Sequence, residues 1–244
     1  MRRWFQRAGK WCGCARRDDG RGGGSLRPYG RGRRLFNAAA ATAAVALLLL
    51  LPAAGAAERP SRILALGDSL TAGYGLPPEH ALPVRLQAKL KQDGIDADVI
   101  NAGVSGDTSA GGLARLDWAL ADKPDIVIVE LGANDVLRGI DPRTTYDNLD
   151  RILAQVKAAG AKALLVGMLA PANWGADYRR DFDAIYPALA KKYGVPLDPF
   201  VLDGVITRPE LLQADGMHPT LQGVDIMASR LAPYVERLTR ETQG

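Results

Sequence analysis

From residue 61 onward, short apolar runs alternate with longer amphipathic stretches. Residues 62–66, 97–101, 125–130 and 163–168, with a weaker 196–199, are predicted strands. The first and third are almost continuously apolar, as expected of strands covered by helices on both faces of a parallel sheet. Between the runs, apolar residues recur at helical spacing. Leu82, Leu86 and Leu90 mark one helix, and Leu113, Leu116 and Leu120 a second. Leu149, Ile152, Leu153 and Val156 mark a third, Phe182, Ile185, Tyr186 and Leu189 a fourth, and Met227, Leu231, Tyr234 and Leu238 the last. Such stripes are core-facing. The alternation predicts one three-layer α/β domain with right-handed crossovers and no internal repeat. In such sheets reactive groups gather beyond the carboxyl ends of the strands. Candidate chemistry is therefore expected in non-helical loops that follow strands.

The first 57 residues break the pattern. Residues 1–34 hold eleven Arg and Lys against two Asp, and residues 37–57 form an uncharged span of 21 residues ending in small side chains. Basic, apolar and small-residue segments in that order predict an export signal, cut after Ala57 or Ala56. Arg33-Arg34-Leu35-Phe36 resembles in part a twin-arginine signal. An uncleaved anchor is the competing reading, weakened by Pro52 and the alanine-glycine end. The expected domains are thus 1–57, export signal with a basic extension, and 58–244, the folded domain, placed in the periplasm or outside the cell without stable membrane insertion.

Removing the leader reverses the charge balance. The whole chain has 31 basic and 27 acidic residues, net +4; without 1–57 it keeps 20 and 25, net −5. The basic excess is a targeting feature, so no nucleic-acid partner is expected. Cys12 and Cys14 also lie in the leader. The remaining domain has neither a disulfide nor a thiol nucleophile, and at about 187 residues it is long enough to bury a core without one.

Four loops carry candidate chemistry. Ser69 follows the first strand in Gly67-Asp68-Ser69-Leu70. A helix-capping serine would read the same way, and the surroundings are not a Gly-x-Ser-x-Gly elbow. Gly106 lies in Val104-Ser105-Gly106-Asp107-Thr108 after the second strand. That loop lacks the lysine of a P-loop and the spacing of a dinucleotide fingerprint. Asn134, in Gly132-Ala133-Asn134-Asp135 after the third strand, offers a side-chain amide or simply an Asx turn. Asp215 precedes His218 by three residues, a spacing at which a turn lets the two face each other. A serine needs a base to take its proton, and the base needs a partner that fixes its tautomer. The other histidine, His80, reads as a surface or capping residue.

Taken in order, these four blocks resemble those of the SGNH (GDSL) hydrolases. The fuller text of the second and third blocks, running to Leu116 and Gly139, is similar to the bacterial arylesterase, acyl-thioesterase I and lysophospholipase L1 branch. The resemblance covers 61–239 and implies a flavodoxin-like fold with a central five-stranded parallel sheet flanked by helices. It implies Ser69 as nucleophile, His218 as base and then acid, and Asp215 as its support. It also implies an oxyanion hole from the backbone N–H groups of Ser69 and Gly106 and the amide of Asn134. The implied reaction is hydrolysis of carboxylic esters, and acyl thioesters, through an acyl-serine, with neither metal nor cofactor.

The substrate is less legible. Leu137, Ile140 and Met168 read as an acyl wall or ordinary packing, and Trp174 in a Gly/Pro/Ala loop as a substrate-rim residue that Tyr178 caps. A small ester or thioester of medium acyl length is expected, with lysophospholipid as a further candidate and a monomeric enzyme. Alternatives are a lysophospholipase as main activity, a carbohydrate acetylesterase, and a non-catalytic exported binding domain.

Overall fold

The computed structural model describes residues 59–243. The leader, its cut site and the twin arginines lie outside the described residues. Five strands form one parallel sheet: β1 (Ser61–Gly67), β2 (Ala97–Gly103), β3 (Ile126–Glu130), β4 (Lys162–Val166) and β5 (Leu197–Asp198), in the order β2-β1-β3-β4-β5. This is the flavodoxin-like arrangement, whose strand order reverses between β1 and β3. Every β3 residue is buried, as are all of β1 but Arg62, because helices cover both faces.

The helices are α1 (Ser69–Ala72), α2 (Leu82–Gln92), α3 (Ser109–Ala114), α4 (Leu116–Leu120), α5 (Ala133–Leu137), α6 (Pro142–Ala158), α7 (Ala176–Asp183), α8 (Ile185–Tyr193) and α9 (Leu221–Gln243). α2 and α9 pack together on one face of the sheet, while α6 packs with α3 and α8 on the other. The predicted stripes are the core: Leu86, Leu90, Leu149, Ile152, Val156, Phe182, Leu189 and Leu231 are all essentially inaccessible.

Two single predicted helices are each a pair. The stripe Leu113–Leu116–Leu120 is interrupted at Arg115, which closes α3 and opens α4. The stripe through Phe182 and Tyr186 is interrupted at Ala184, between α7 and α8, with its apolar residues still buried. β4 ends at Val166 rather than Met168, and Met168 lies buried at the wall of a cleft.

The aligned strand ends position the site. Gly67 pairs with Gly103 on one side and Glu130 on the other, and Glu130 pairs with Val166. Four strands therefore end at one level, and the loops after them open at a common edge. Leu164 lies at the middle of β4 with no exposed surface. Leu164→Ala is expected to cost about 2–5 kcal/mol of unfolding free energy in a urea titration, since the sheet interior collapses little around the lost methyls.

Candidate active site

Ser69 opens α1 directly beyond β1. Asp68 caps this single turn, its Oδ1 accepting the N–H of Leu70 at 3.0 Å. His218 returns from the far end of the chain. Its Nε2 lies 2.9 Å from Ser69 Oγ and its Nδ1 2.7 Å from Asp215 Oδ2. Asp215 Oδ1 also accepts the backbone N–H groups of Met217 and His218, at 2.9 and 3.0 Å. Those bonds, with the imidazole contact, hold the Asp215 carboxyl down to about 2. An ionised Asp215 assigns the imidazole proton to Nδ1, so Nε2 is the acceptor facing the serine hydroxyl.

Gly106 and Asn134 reach the same cleft. Gly106 has φ +86°, a conformation that glycine adopts without penalty. Arg138 Nη2 donates to its carbonyl at 2.7 Å. The backbone N–H groups of Ser69 and Gly106 have no acceptor among the described residues. Asn134 Nδ2 donates to the carbonyl of Asp107 at 2.9 Å and to Asp68 Oδ2 at 3.2 Å. All five candidate residues of the four loops thus come together. One expectation is corrected: Ser69 and Asn134 do not lie in non-helical loops but in the first turns of the short helices α1 and α5. Such turns leave backbone donors unpaired at their N-terminal ends, which a plain loop does not do reliably.

The corner that carries Asn134 is fixed from beneath. Gly132 has φ +120°, and a Cβ there would fall 2.1 Å from Tyr186 Oη, which donates to the carbonyl of Leu131 at 2.9 Å. Asp135, fully buried, accepts the backbone N–H of Ser109 at 2.7 Å and the hydroxyls of Ser109 and Thr145. These bonds tie α5 to α3 and α6.

The cleft encloses about 480 Å³. Its walls are mainly apolar and include Leu137, Met168, Leu169, Phe200 and Ile206. Leu137 and Met168, read from the sequence as an acyl wall or ordinary packing, are thus part of this lining. Ile140 and Trp174 do not line the cleft. Trp174 lies against Gly139 and packs at a tilt on Tyr178 with ring centroids 5.6 Å apart, while the Tyr178 hydroxyl donates to the carbonyl of Ile140 at 2.8 Å. The Trp174 and Tyr178 rings brace the turn after α5 from outside. His80, at the end of a single turn Pro78–His80, also stands apart from the cleft. Among the described residues, no cluster of three or more His, Cys, Asp or Glu could hold a metal ion, and no helix is long and apolar enough to cross a membrane.

Several participants carry no readable signal in the chain. The Tyr74 ring packs against His218 at 4.6 Å between centroids. Gln213 Nε2 donates to the carbonyls of Tyr74 and Pro219, and its N–H to that of His218, joining the histidine loop to the loop after α1. Asp68 and Glu130 form a buried acidic pair under the serine. Glu130 Oε2 accepts the Thr71 hydroxyl at 2.8 Å and the N–H of Asp68 at 3.5 Å. Burial, and next the charge of Asp68, drive the Glu130 carboxyl well above its usual range. Burial likewise pushes Asp68 up to about 6, against the lowering effect of the Leu70 N–H.

A family model described as GDSL-like Lipase/Acylhydrolase family matches residues 65–226. Over 178 residues the chain is 46% identical to the thioesterase 1/protease 1/lysophospholipase L1 of Escherichia coli K12, covering 71% of this chain and 84% of that one. It is 44% identical over 165 residues to an arylesterase of Vibrio mimicus, covering 67% and 82%. Among solved structures, AlinE4, an SGNH-hydrolase family esterase, aligns at 48% identity and a TM-score of 0.64, covering 74% of this chain and 97% of its own.

A carboxyl whose pKa is higher in the folded than in the unfolded chain takes up a proton on folding. Its stabilising contribution is therefore full below the unfolded value and falls as pH rises through the folded one. For Asp68 that window runs from 3.8 to about 6, and for Glu130 it extends further upward. Glu130→Gln, a neutral isostere that still accepts from Thr71, is expected to flatten the fall in Tm as pH rises upward from 4.5. Thermal melts of both proteins across that range check it; parallel curves would show that Glu130 does not carry the pH dependence.

Proposed function

The chain belongs to the GDSL-like lipase/acylhydrolase family and is a carboxylic ester hydrolase; from that premise we propose that it works through an acyl-Ser69 intermediate. The observation that carries this reading is the continuous chain Ser69 Oγ, His218 Nε2, His218 Nδ1, Asp215 Oδ2, with spacings of 2.9 and 2.7 Å. Ser69 Oγ attacks the acyl carbonyl as its proton passes to His218 Nε2. The imidazolium so formed is stabilised by Asp215 and then protonates the departing alcohol or thiol. Water, deprotonated by the same nitrogen, attacks the acyl-serine, and the proton returns to Ser69 as the acid leaves.

The negative charge that develops on the carbonyl oxygen meets three donors in this reading: the unpaired N–H groups of Ser69 and Gly106, and Asn134. Both hydrogens of the Asn134 amide have resting acceptors. The bond to Asp107 is the shorter at 2.9 Å, so it holds the amide in place, and the hydrogen on Asp68 at 3.2 Å is the one the oxyanion shares. The apolar cleft then holds the acyl chain. Its walls do not favour the carbohydrate acetylesterase reading, which needs polar groups around Leu137.

We further infer that acyl thioesters and lysophospholipids are accepted, since the cleft grips the acyl part and leaves the departing group outside. The composition of residues 1–57 supports export to the periplasm or beyond, with cleavage near Ala57, and a monomer suffices for a site that one chain completes.

Fluorophosphonate is expected to label the protein, with labelling lost in Ser69→Ala; unlabelled protein would indicate a binding domain without catalysis. Asn134→Ala is expected to stay folded while kcat falls about 10²- to 10³-fold, as when one oxyanion donor is lost. Unchanged turnover would remove Asn134 from that role. With p-nitrophenyl esters, kcat/KM is expected to rise by about fourfold per methylene from acetyl towards hexanoyl, the equivalent of about 0.8 kcal/mol per buried CH₂. Highest specificity for acetyl esters would overturn the acyl-cleft assignment.

A further inference from the structure

Arg115 stands at the break between α3 and α4, with its side chain mostly buried under the loops that carry the site. Three of its N–H groups are committed to three different segments. Nη2 donates to the carbonyl of Gly67 at 2.9 Å, at the end of β1 and two residues before Ser69. Nη1 donates to the carbonyl of Ala102 at 2.7 Å, where β2 leads into the loop of Gly106. Nε pairs with Asp107 Oδ2 at 2.6 Å, on the residue after Gly106 whose own carbonyl holds the Asn134 amide. Each segment carries, or directly holds, one donor of the oxyanion hole.

We propose that Arg115 is a positioning residue for oxyanion stabilisation: one planar guanidinium sets the spacing of the Ser69, Gly106 and Asn134 donors without touching the substrate. The inference rests on the assignment of those three donors made above. A guanidinium presents its N–H groups in a fixed fork, so the three acceptors cannot shift independently. Electrostatic stabilisation of a transition state depends on donors held in place before charge develops, since reorientation during the reaction consumes the advantage. A helix broken at Arg115 is what lets this side chain reach back to the strand ends.

The decisive variant is Arg115→Lys, which keeps the charge beside Asp107 but cannot span three acceptors. The expected result is a folded protein whose kcat falls about 100-fold while KM stays within about twofold. Affinity for an alkylboronic acid, which forms a tetrahedral anionic adduct on Ser69, should fall by the same factor. A purely structural role would lower Tm without this paired loss. A kcat within about threefold of the parent, or an unchanged boronate affinity, would overturn the proposal. Should Arg115→Lys fail to fold, Asp107→Asn provides the same reading. It retains both carbonyl bonds and removes only the ion pair, and a loss of about tenfold in both kcat and boronate affinity is expected. No loss in either would overturn the proposal. Turnover by the parent protein and its loss in Asn134→Ala are read separately, so failure of the donor assignment is distinguishable from failure of the role given to Arg115.

Discussion

The constraint on which the site depends is the register of β1 against its two neighbours. Gly67 stands beside both Gly103 and Glu130, so the first three strands end at one level. Side chains alternate along a strand, and a slip of one residue would turn every buried β1 side chain to the opposite face. The register is held by the fit of the side chains packed on both faces, Ile63, Leu64 and Leu66 of β1 and all of β3. The core therefore fixes, from within, the height at which three loops leave the sheet. It does so where the strand order reverses, so the segments after β1 and β3 diverge and leave a crevice between them. Ser69 and Asn134 occupy the two sides of that crevice.

Holding polar groups at this edge has a thermodynamic cost. Asp68 and Glu130 are both almost wholly inaccessible, and neither has a cationic partner bonded to it. Burying such a pair disfavours double ionisation, and the shared response is an upward shift of both. What the pair provides is local order. Asp68 caps α1 and accepts from Asn134, and Glu130 accepts from the backbone of Asp68 and from Thr71. The nucleophile and the amide across the crevice thus share one carboxyl. Asp215 shows the opposite balance: exposed, with two backbone donors and an imidazole, it is shifted down. The site therefore keeps its proton-accepting machinery at the solvent edge and its scaffolding acids inside.

Much of this was legible in the chain because the signals are local. Apolar runs placed all five strands to within a residue or two, and β3 needed no more than its five consecutive buried residues. The Asp215 to His218 spacing announced a turn, and the turn is there. What escaped reading depends on distant neighbours. Nothing around Tyr74 indicates that it meets Gln213 and His218, since those contacts exist only once folding has closed a separation of 139 or more positions along the chain. Arg115 interrupts a helical stripe whose apolar spacing looks continuous, because periodicity records which face is buried and not where a polar side chain breaks away. Trp174 was misplaced for a related reason: an aromatic residue in a loop beyond β4 has the sequence address of a rim residue, yet the bend at Gly139 gives it a nearer surface to cover.

The same local and distant division explains how the catalytic chain is assembled. Asp215 and His218 are organised by their own turn, with three bonds confined to four residues. Ser69 is organised by the cap on α1 and the level of β1. The 2.9 Å contact of Ser69 with His218 joins the two halves across 149 positions, and the Tyr74 ring packs beside it on His218. The joining geometry is then set by elements that perform no chemistry: Gln213, bonded to both loops, and α9, which follows the histidine and packs on α2. A substitution in that support would separate the two halves and lower proton transfer, while the oxyanion donors keep their own supports at the ends of β1, β2 and β3. Proton transfer and oxyanion stabilisation are thus supported by different parts of the same edge, which is the condition under which each can vary without the other.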